Sequence, residues 1–204
     1  MANSEIPIVM RLVFASNNAH KLSEVRQIMP AGVEVLSLHE IGFEQEIDET
    51  GETLAANSLI KAEAVAAWLR EFGAKDLAID GIFADDTGLE IDALGGRPGV
   101  HTARWAGEPA ANRKKALCEL AGKTDRGAQF KTVITLIKDG KTLQVEGVVR
   151  GRIAEKEYGE GGFGYDPVFI PEGYDKTFGE LPAEVKNQIS HRARALAALV
   201  KEIQ

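Results

Sequence analysis

The sequence predicts an α/β fold: one domain over residues 1–204, built on a mixed β-sheet. Three observations lead there. The chain opens as strand, loop, helix and strand. Apolar runs and helical patterns go on alternating after it. An Asp-Gly pair then joins two alternating runs as a hairpin, which puts antiparallel strands beside the crossover-linked ones. No repeat or linker divides the chain, and its apolar (44%) and charged (27%) fractions are those of a globular protein with a real core.

Residues 9–15 (VMRLVFA) form the first apolar run, ended by Ser16-Asn17-Asn18. Leu22, Val25 and Ile28 then recur at helical spacing until Pro30 stops the pattern. Residues 33–38 give a second strand, and the alanine-rich stretch 52–72 a long helix closed by Gly73. The short strand 77–84 runs directly into Asp85-Asp86-Thr87-Gly88, read as the turn that follows it. After a glycine-rich loop at 95–99 comes a helix over 110–120. The runs 130–137 and 143–150 are joined through Lys138-Asp139-Gly140-Lys141. A second glycine-rich loop, 158–165, leads into a strand at 167–170, and the chain finishes in a helix over 190–203.

The formal net charge of −7 argues against a nucleic-acid partner, because a protein that wraps a phosphate backbone needs a basic face. A small phosphorylated ligand needs only a few local cations. Cys118 is the only cysteine, which excludes an internal disulfide and a cysteine metal cluster; it is read as a small core residue of a helix. The apolar run 6–14 is interrupted by Arg11 and is too short to cross a bilayer, and it lacks the marks of a signal peptide. No membrane partner is expected, and the location is expected to be cytoplasmic.

Four polar clusters stand where strands end or helices begin, the places at which α/β sheets bind ligands. Ser16, Asn17, Asn18, Ala19, His20 and Lys21 open the first helix, where backbone N–H groups and the helix dipole favour an anion. Taken alone, this cluster reads more simply as an N-cap followed by a solvated lysine. Glu49 precedes the long helix, on which Thr53, Asn57 and Lys61 share a face. Asp85 and Asp86 are adjacent carboxylates, costly unless a cation or hydrogen bonds offset their repulsion. Magnesium accepts such carboxylates together with substrate phosphate oxygens. The last cluster joins Phe163, Gly164, Tyr165 and Asp166 with Lys186, His191 and Arg192; the glycines allow close approach, and Phe163 or Tyr165 could stack on a base.

Together these stretches resemble the inosine triphosphate pyrophosphatase family: ASNNAHK (15–21), ETGETLAANSLIKA (49–62), ADDTGLEIDALGGRPGVHTARW (84–105), GGFGYDPVF (161–169), and Lys186 with His191-Arg192. Five motifs in order and in register run through nearly the whole chain. The resemblance implies an elongated α/β fold with a central mixed sheet and two lobes flanking an active-site cleft, assembled as a homodimer. It implies magnesium-dependent cleavage of purine nucleoside triphosphates such as ITP, dITP and XTP between the α- and β-phosphates, removing deaminated purines from the nucleotide pool. It also implies site residues. Glu49 and Asp86 hold the metal, Asp86 is the general base, and Asp85 and Lys61 act beside it, with the division of labour between the two aspartates open. Residues 16–21, Asn57 and Thr87 bind substrate, while Phe163, Gly164, Tyr165, Asp166, Lys186, His191 and Arg192 read the base. A pyrophosphatase of other base specificity and a non-catalytic nucleotide sensor are the competing readings.

Overall fold

The computed structural model describes residues 10–73 and 77–203. Residues 6–9, which begin the first apolar run and include the expected strand start at Val9, lie outside the described residues. The described residues form a seven-stranded mixed sheet in the order β2-β1-β3-β5-β6-β7, with β4 paired to β3 off that path. The strands are β1 Met10–Phe14, β2 Val33–Leu36, β3 Gly81–Ile91, β4 Pro98–Gly99, β5 Gly127–Lys138, β6 Lys141–Ile153 and β7 Phe169–Pro171. The helices are α1 Ala19–Ile28, α2 Leu54–Phe72, α3 Pro109–Glu119, α4 Ala183–Ile189 and α5 His191–Ile203. β1 runs parallel to both β2 and β3, whereas β4 is antiparallel to β3 and β7 to β6.

The chain divides into two compact units. The first takes the described residues up to Asp86, then Val133–Val145 and those from Leu196 on. Leu12, Val13 and Phe14 of β1 are all buried, the continuous apolar pattern of a parallel strand covered on both faces. Asn18 caps α1 by accepting the Lys21 N–H at 3.1 Å, and Thr53 caps α2 by accepting that of Ala56 at 3.1 Å. α2 buries Ala62, Val65 and Ala66 against Val13, Leu36, Ile82 and Ala84. This fixes which face of α2 is left for Asn57 and Lys61.

The second unit comprises Thr87–Thr132 and Glu146–Ala195. Its core gathers Leu89, Ile91, Phe130, Val149, Val168, Phe169 and Phe178. Phe130 packs edge-on to Phe169, with centroids 4.7 Å apart, and stacks with His191 at 4.6 Å. α5 begins where Ser190 closes α4; the Ser190 Oγ accepts the Ala193 N–H at 3.2 Å. That junction delivers His191 and Arg192 to the unit's interior.

The hairpin forms as expected from Asp-Gly. Asp139 (φ 51°) and Gly140 (φ 72°) both adopt positive φ, which suits the twist of two paired strands. Three expectations are corrected. Asp85-Asp86-Thr87-Gly88 is not a turn after a strand: β3 continues through it to Ile91, held in the sheet by neighbours distant in sequence despite the poor strand propensity of Asp and Gly. Residues 183–189, for which the sequence reading gave no element, form α4 and carry Lys186. Cys118 is exposed rather than in the core, because α3 turns Asn112, Ala116 and then Leu120 inward at i, i+4 spacing, and Cys118 falls off that line.

Gly147 on β6 sets the start of α5. A Cβ on it would overlap the His191 carbonyl and the Ala195 amide, both backbone groups that cannot rotate away. Replacing it forces β6 and the first turn of α5 apart. Gly147→Ala is expected to destabilise the protein by about 1–3 kcal/mol, as overpacking does. A thermal melt checks this, and an unchanged melting temperature would refute the close approach.

Candidate active site

In the first unit, β3 presents Asp85 and Asp86 as successive residues, so their side chains leave the strand on opposite faces. Asp85 is buried, and its Oδ1 accepts a hydrogen bond from Lys21 Nζ at 2.8 Å. Asp86 meets α2: Asn57 Nδ2 donates to its Oδ2 at 3.3 Å, and Lys61 Nζ lies 3.6 Å from its Oδ1. The same Lys61 ammonium stands 3.4 Å from Glu49 Oε2. Burial pushes the Asp86 carboxyl above its ordinary value; Lys61 and Lys21 pull it down, while Glu49 and Asp85 push it further up. Three carboxylates against two ammoniums leave this cluster with one net negative charge.

Asn57 is buried, and its side chain is bonded to the protein at both ends. Besides Asp86, it reaches the loop before α2, accepting the Gly51 N–H on Oδ1 at 2.7 Å. It therefore ties the segment that follows Glu49 to Asp86 and braces it. Ser58, the next residue of α2, is pinned beneath it, with its hydroxyl 2.8 Å from Thr135 Oγ1 and 3.0 Å from the Ala84 carbonyl.

The loop from β1 to α1 is built by local bonds. Ser16 Oγ accepts the Asn18 N–H at 3.2 Å, and Asn18 Oδ1 is the α1 cap. Asn17, Asn18, Ala19 and His20 are exposed. An exposed helix start with an inward-turned lysine is a chemically sound anion cradle.

Among the described residues, no group of three or more His, Cys, Asp or Glu side chains converges as a metal site. Two carboxylates do meet at one point. Glu49 and Asp86 bracket the Lys61 ammonium, so the fold already places a positive charge between them. Hard oxygen donors in that number suit magnesium, which takes one or two protein carboxylates and keeps waters or substrate oxygens for the rest. The residues present fit that ion.

The second unit holds the remaining set. Arg192 is fully buried; its Nη2 lies 3.3 Å from Thr87 Oγ1, and Thr87 is in turn hydrogen-bonded to Thr132 at 2.7 Å. Thr132, which the sequence did not single out, thus fixes the hydroxyl that receives Arg192. Lys186 and Asp166 form a buried pair at 2.5 Å, and the same Asp166 Oδ2 accepts the Phe163 N–H at 2.7 Å. The Phe163 ring carries Lys186 Nζ at 4.7 Å and Arg192 Cζ at 5.8 Å from its centroid.

Phe163 and Tyr165 differ sharply. Phe163 is partly exposed, whereas Tyr165 belongs to the core and gives its hydroxyl to the Thr102 carbonyl at 3.1 Å. Burial pushes the Tyr165 hydroxyl well above the usual phenol range, so it stays a neutral donor. Of the two rings, that of Phe163 is the more exposed.

The structure therefore groups Ser16 to Lys21, Glu49, Asn57, Lys61, Asp85 and Asp86 in one unit. It groups Thr87, Phe163 to Asp166, Lys186, His191 and Arg192 in the other. Gly147 is a supporting residue whose signal was present, since a glycine inside a strand marks close backbone approach. Asn112 and Arg113 of α3 carry no comparable mark.

The model of the Ham1 family matches residues 12–202. Over 193 residues the chain is 50% identical to the dITP/XTP pyrophosphatase of Porphyromonas gingivalis, a match that covers 93% of this chain and 95% of that one. It is 46% identical over 204 residues to the dITP/XTP pyrophosphatase of Bacillus subtilis, covering 97% and 98%. Among solved structures, the Staphylococcus aureus Ham1 protein superposes with a TM-score of 0.81 at 40% identity, over 95% of this chain and 97% of that one. With the family pattern continuous from the first strand to the last helix, the chain belongs to the Ham1 family.

Proposed function

We propose that this chain hydrolyses the triphosphates of deaminated purines, ITP, dITP and XTP, to the nucleoside monophosphate and pyrophosphate. The observation that carries the reading is the buried pair Asp85-Asp86, held between Lys21 and Lys61, in a chain whose relatives are named dITP/XTP pyrophosphatase. A cluster with raised proton affinity at one carboxylate and two ammoniums beside it can take a proton from water and neutralise a polyphosphate.

The environments of the two aspartates support different roles for them. Asp85 is engaged by Lys21 and orients it. Asp86, braced by Asn57 and raised by burial, accepts the proton of the water that attacks the α-phosphorus. Pyrophosphate leaves with the bonding electrons, and Lys21, Lys61 and the α1 N–H groups share its charge. Glu49 and Asp86 would hold magnesium, which supplies charge neutralisation on the triphosphate. No covalent intermediate is needed.

The second unit supplies base selectivity. Hypoxanthine and xanthine carry a carbonyl at C6, which accepts from donors such as Arg192 and His191. Adenine presents an amino group there and leaves buried donors unpaired, a mismatch worth orders of magnitude in discrimination. Phe163 adds stacking that is blind to base identity. A cytoplasmic homodimer without nucleic-acid partners completes the reading, supported by the net charge of −7 and the family resemblance. Among the described residues, no helix is long and apolar enough to cross a membrane.

The test is to incubate the protein and magnesium with ITP, XTP, GTP, ATP and dUTP, and to separate the products. IMP or XMP with intact pyrophosphate, and little loss of ATP or GTP, is the expected result. Inosine diphosphate with orthophosphate would place attack at the γ-phosphorus and overturn the assignment. Bound but unreacted ITP would favour the sensor.

A further inference from the structure

We infer that Arg113 of α3 is a positioning residue for purine selectivity, acting through the backbone of Gly164. The inference rests on the proposed role of residues 163–166 in reading the base. Arg113 Nη1 donates to the Gly164 carbonyl at 2.9 Å, and its Nε lies 3.0 Å from Glu157 Oε2. One guanidinium therefore meets the glycine-rich loop at two points: a hydrogen bond to the carbonyl beside Phe163, and an ion pair with the carboxylate where the loop begins, in which Nε makes no hydrogen bond. The planar fork of arginine can serve both at once; the single ammonium of lysine cannot reproduce that geometry.

The loop needs this tie at Gly164 more than elsewhere. Tyr165 is fixed through its hydroxyl to Thr102, and Asp166 through Lys186 and the Phe163 N–H. Gly164 has no side chain to anchor. It sits at φ 61°, the left-handed region, although a Cβ there would meet nothing within 4 Å. Conformation rather than space demands the glycine, and an external donor must hold its carbonyl in the direction that this conformation sets. Arg113 is well placed to be that donor: its side chain is 16% exposed against 42% for Glu157.

α3 is itself a fixed platform. The preceding residue, Asn112, donates to the Ala103 carbonyl at 3.0 Å and accepts the Ala106 N–H at 2.5 Å. It also reaches Thr102, whose carbonyl receives Tyr165. Adjacent residues of one helix thus secure the 102–106 segment and, through Arg113, the loop that carries Phe163. None of these contacts involves Asp86 or the lysines of the first unit, so losing Arg113 impairs base binding and spares the chemical step.

The experiment compares wild type, Arg113→Met and Arg113→Lys in steady-state hydrolysis of ITP and GTP, with thermal melts alongside. For Arg113→Met the expected result is a rise of about tenfold in KM for ITP, the loss of one charge-assisted hydrogen bond. kcat should stay within about twofold, and the ITP-over-GTP preference in kcat/KM should fall. Arg113→Lys, which keeps the charge, should lie between the two, a graded rescue that a purely structural role would not give. Unchanged KM and preference in a folded Arg113→Met protein would overturn the inference, as would a fall in kcat at constant KM. Where Arg113→Met does not fold, Arg113→Lys decides: a KM for ITP equal to that of wild type would overturn it. Wild-type protein that does not turn over ITP would sink the underlying function instead, a failure seen before any variant is compared.

Discussion

Asp86→Asn is expected to lower kcat for ITP about a thousandfold, the scale of a lost general base, while the protein remains folded. The substitution keeps the shape of the side chain. The one amide oxygen can still accept from Asn57 Nδ2, which turns the amide nitrogen toward Lys61 in place of the second carboxylate oxygen. What it loses is the ability to take a proton. Stability should not suffer, because burial disfavours the charge that the substitution removes, and Lys61 keeps Glu49 as a counter-ion. A melt in chelator at pH 7 should therefore place the variant no lower than wild type, so that the loss in rate is assigned to chemistry. Activity near wild type would remove Asp86 from its role. A low melting temperature would mean that the carboxylate is part of the fold's own electrostatic balance.

Local signals made much of the fold legible. The cap at Asn18, the stop at Pro30 and the Asp-Gly turn each act over a few residues, so the sequence displays them directly. What it hid depends on neighbours far away. β3 runs through Asp85-Asp86-Thr87-Gly88 because distant strands pair with it, against local propensity. α4 is only seven residues long and mostly polar, too short for a helical stripe to show. Periodicity fixes the existence of α3 but not which stripe faces inward, and Cys118 was therefore misplaced.

The site divides in the same way. Runs such as ADDTG and GGFGYD announce themselves through chemistry that has to be offset or turned. Whether Phe163 or Tyr165 offers its ring is decided by packing on Phe130 and Phe169, and no feature of GFGYD encodes it. Asn57 reads from sequence as one more polar residue on a wet helix face. Its position over Asp86 and Gly51 makes it a brace. Supporting residues are silent in sequence because their partners are backbone atoms, which every residue possesses.

Lys186→Met is expected to destabilise the protein by about 3–5 kcal/mol, the penalty for breaking a buried ion pair from one side. Lys186 and Asp166 are only 6% and 4% exposed, so neither can turn to water when the other is gone. Methionine fills much of the lysine's volume, yet it leaves the Asp166 carboxylate buried with the Phe163 N–H as its hydrogen-bond donor at 2.7 Å. The loop that positions Phe163 should loosen, and affinity for ITP should fall together with stability. The double substitution Lys186→Met with Asp166→Asn separates charge from contact. The asparagine amide retains an acceptor for the Phe163 N–H and carries no charge to strand, so the double variant should be more stable than Lys186→Met alone. A double-mutant cycle on chemical denaturation measures that coupling. If the double variant were as unstable as the single one, the contact of the lysine ammonium with the rings of Phe163 and Phe178 would be the dominant contribution, and the ion pair would be secondary.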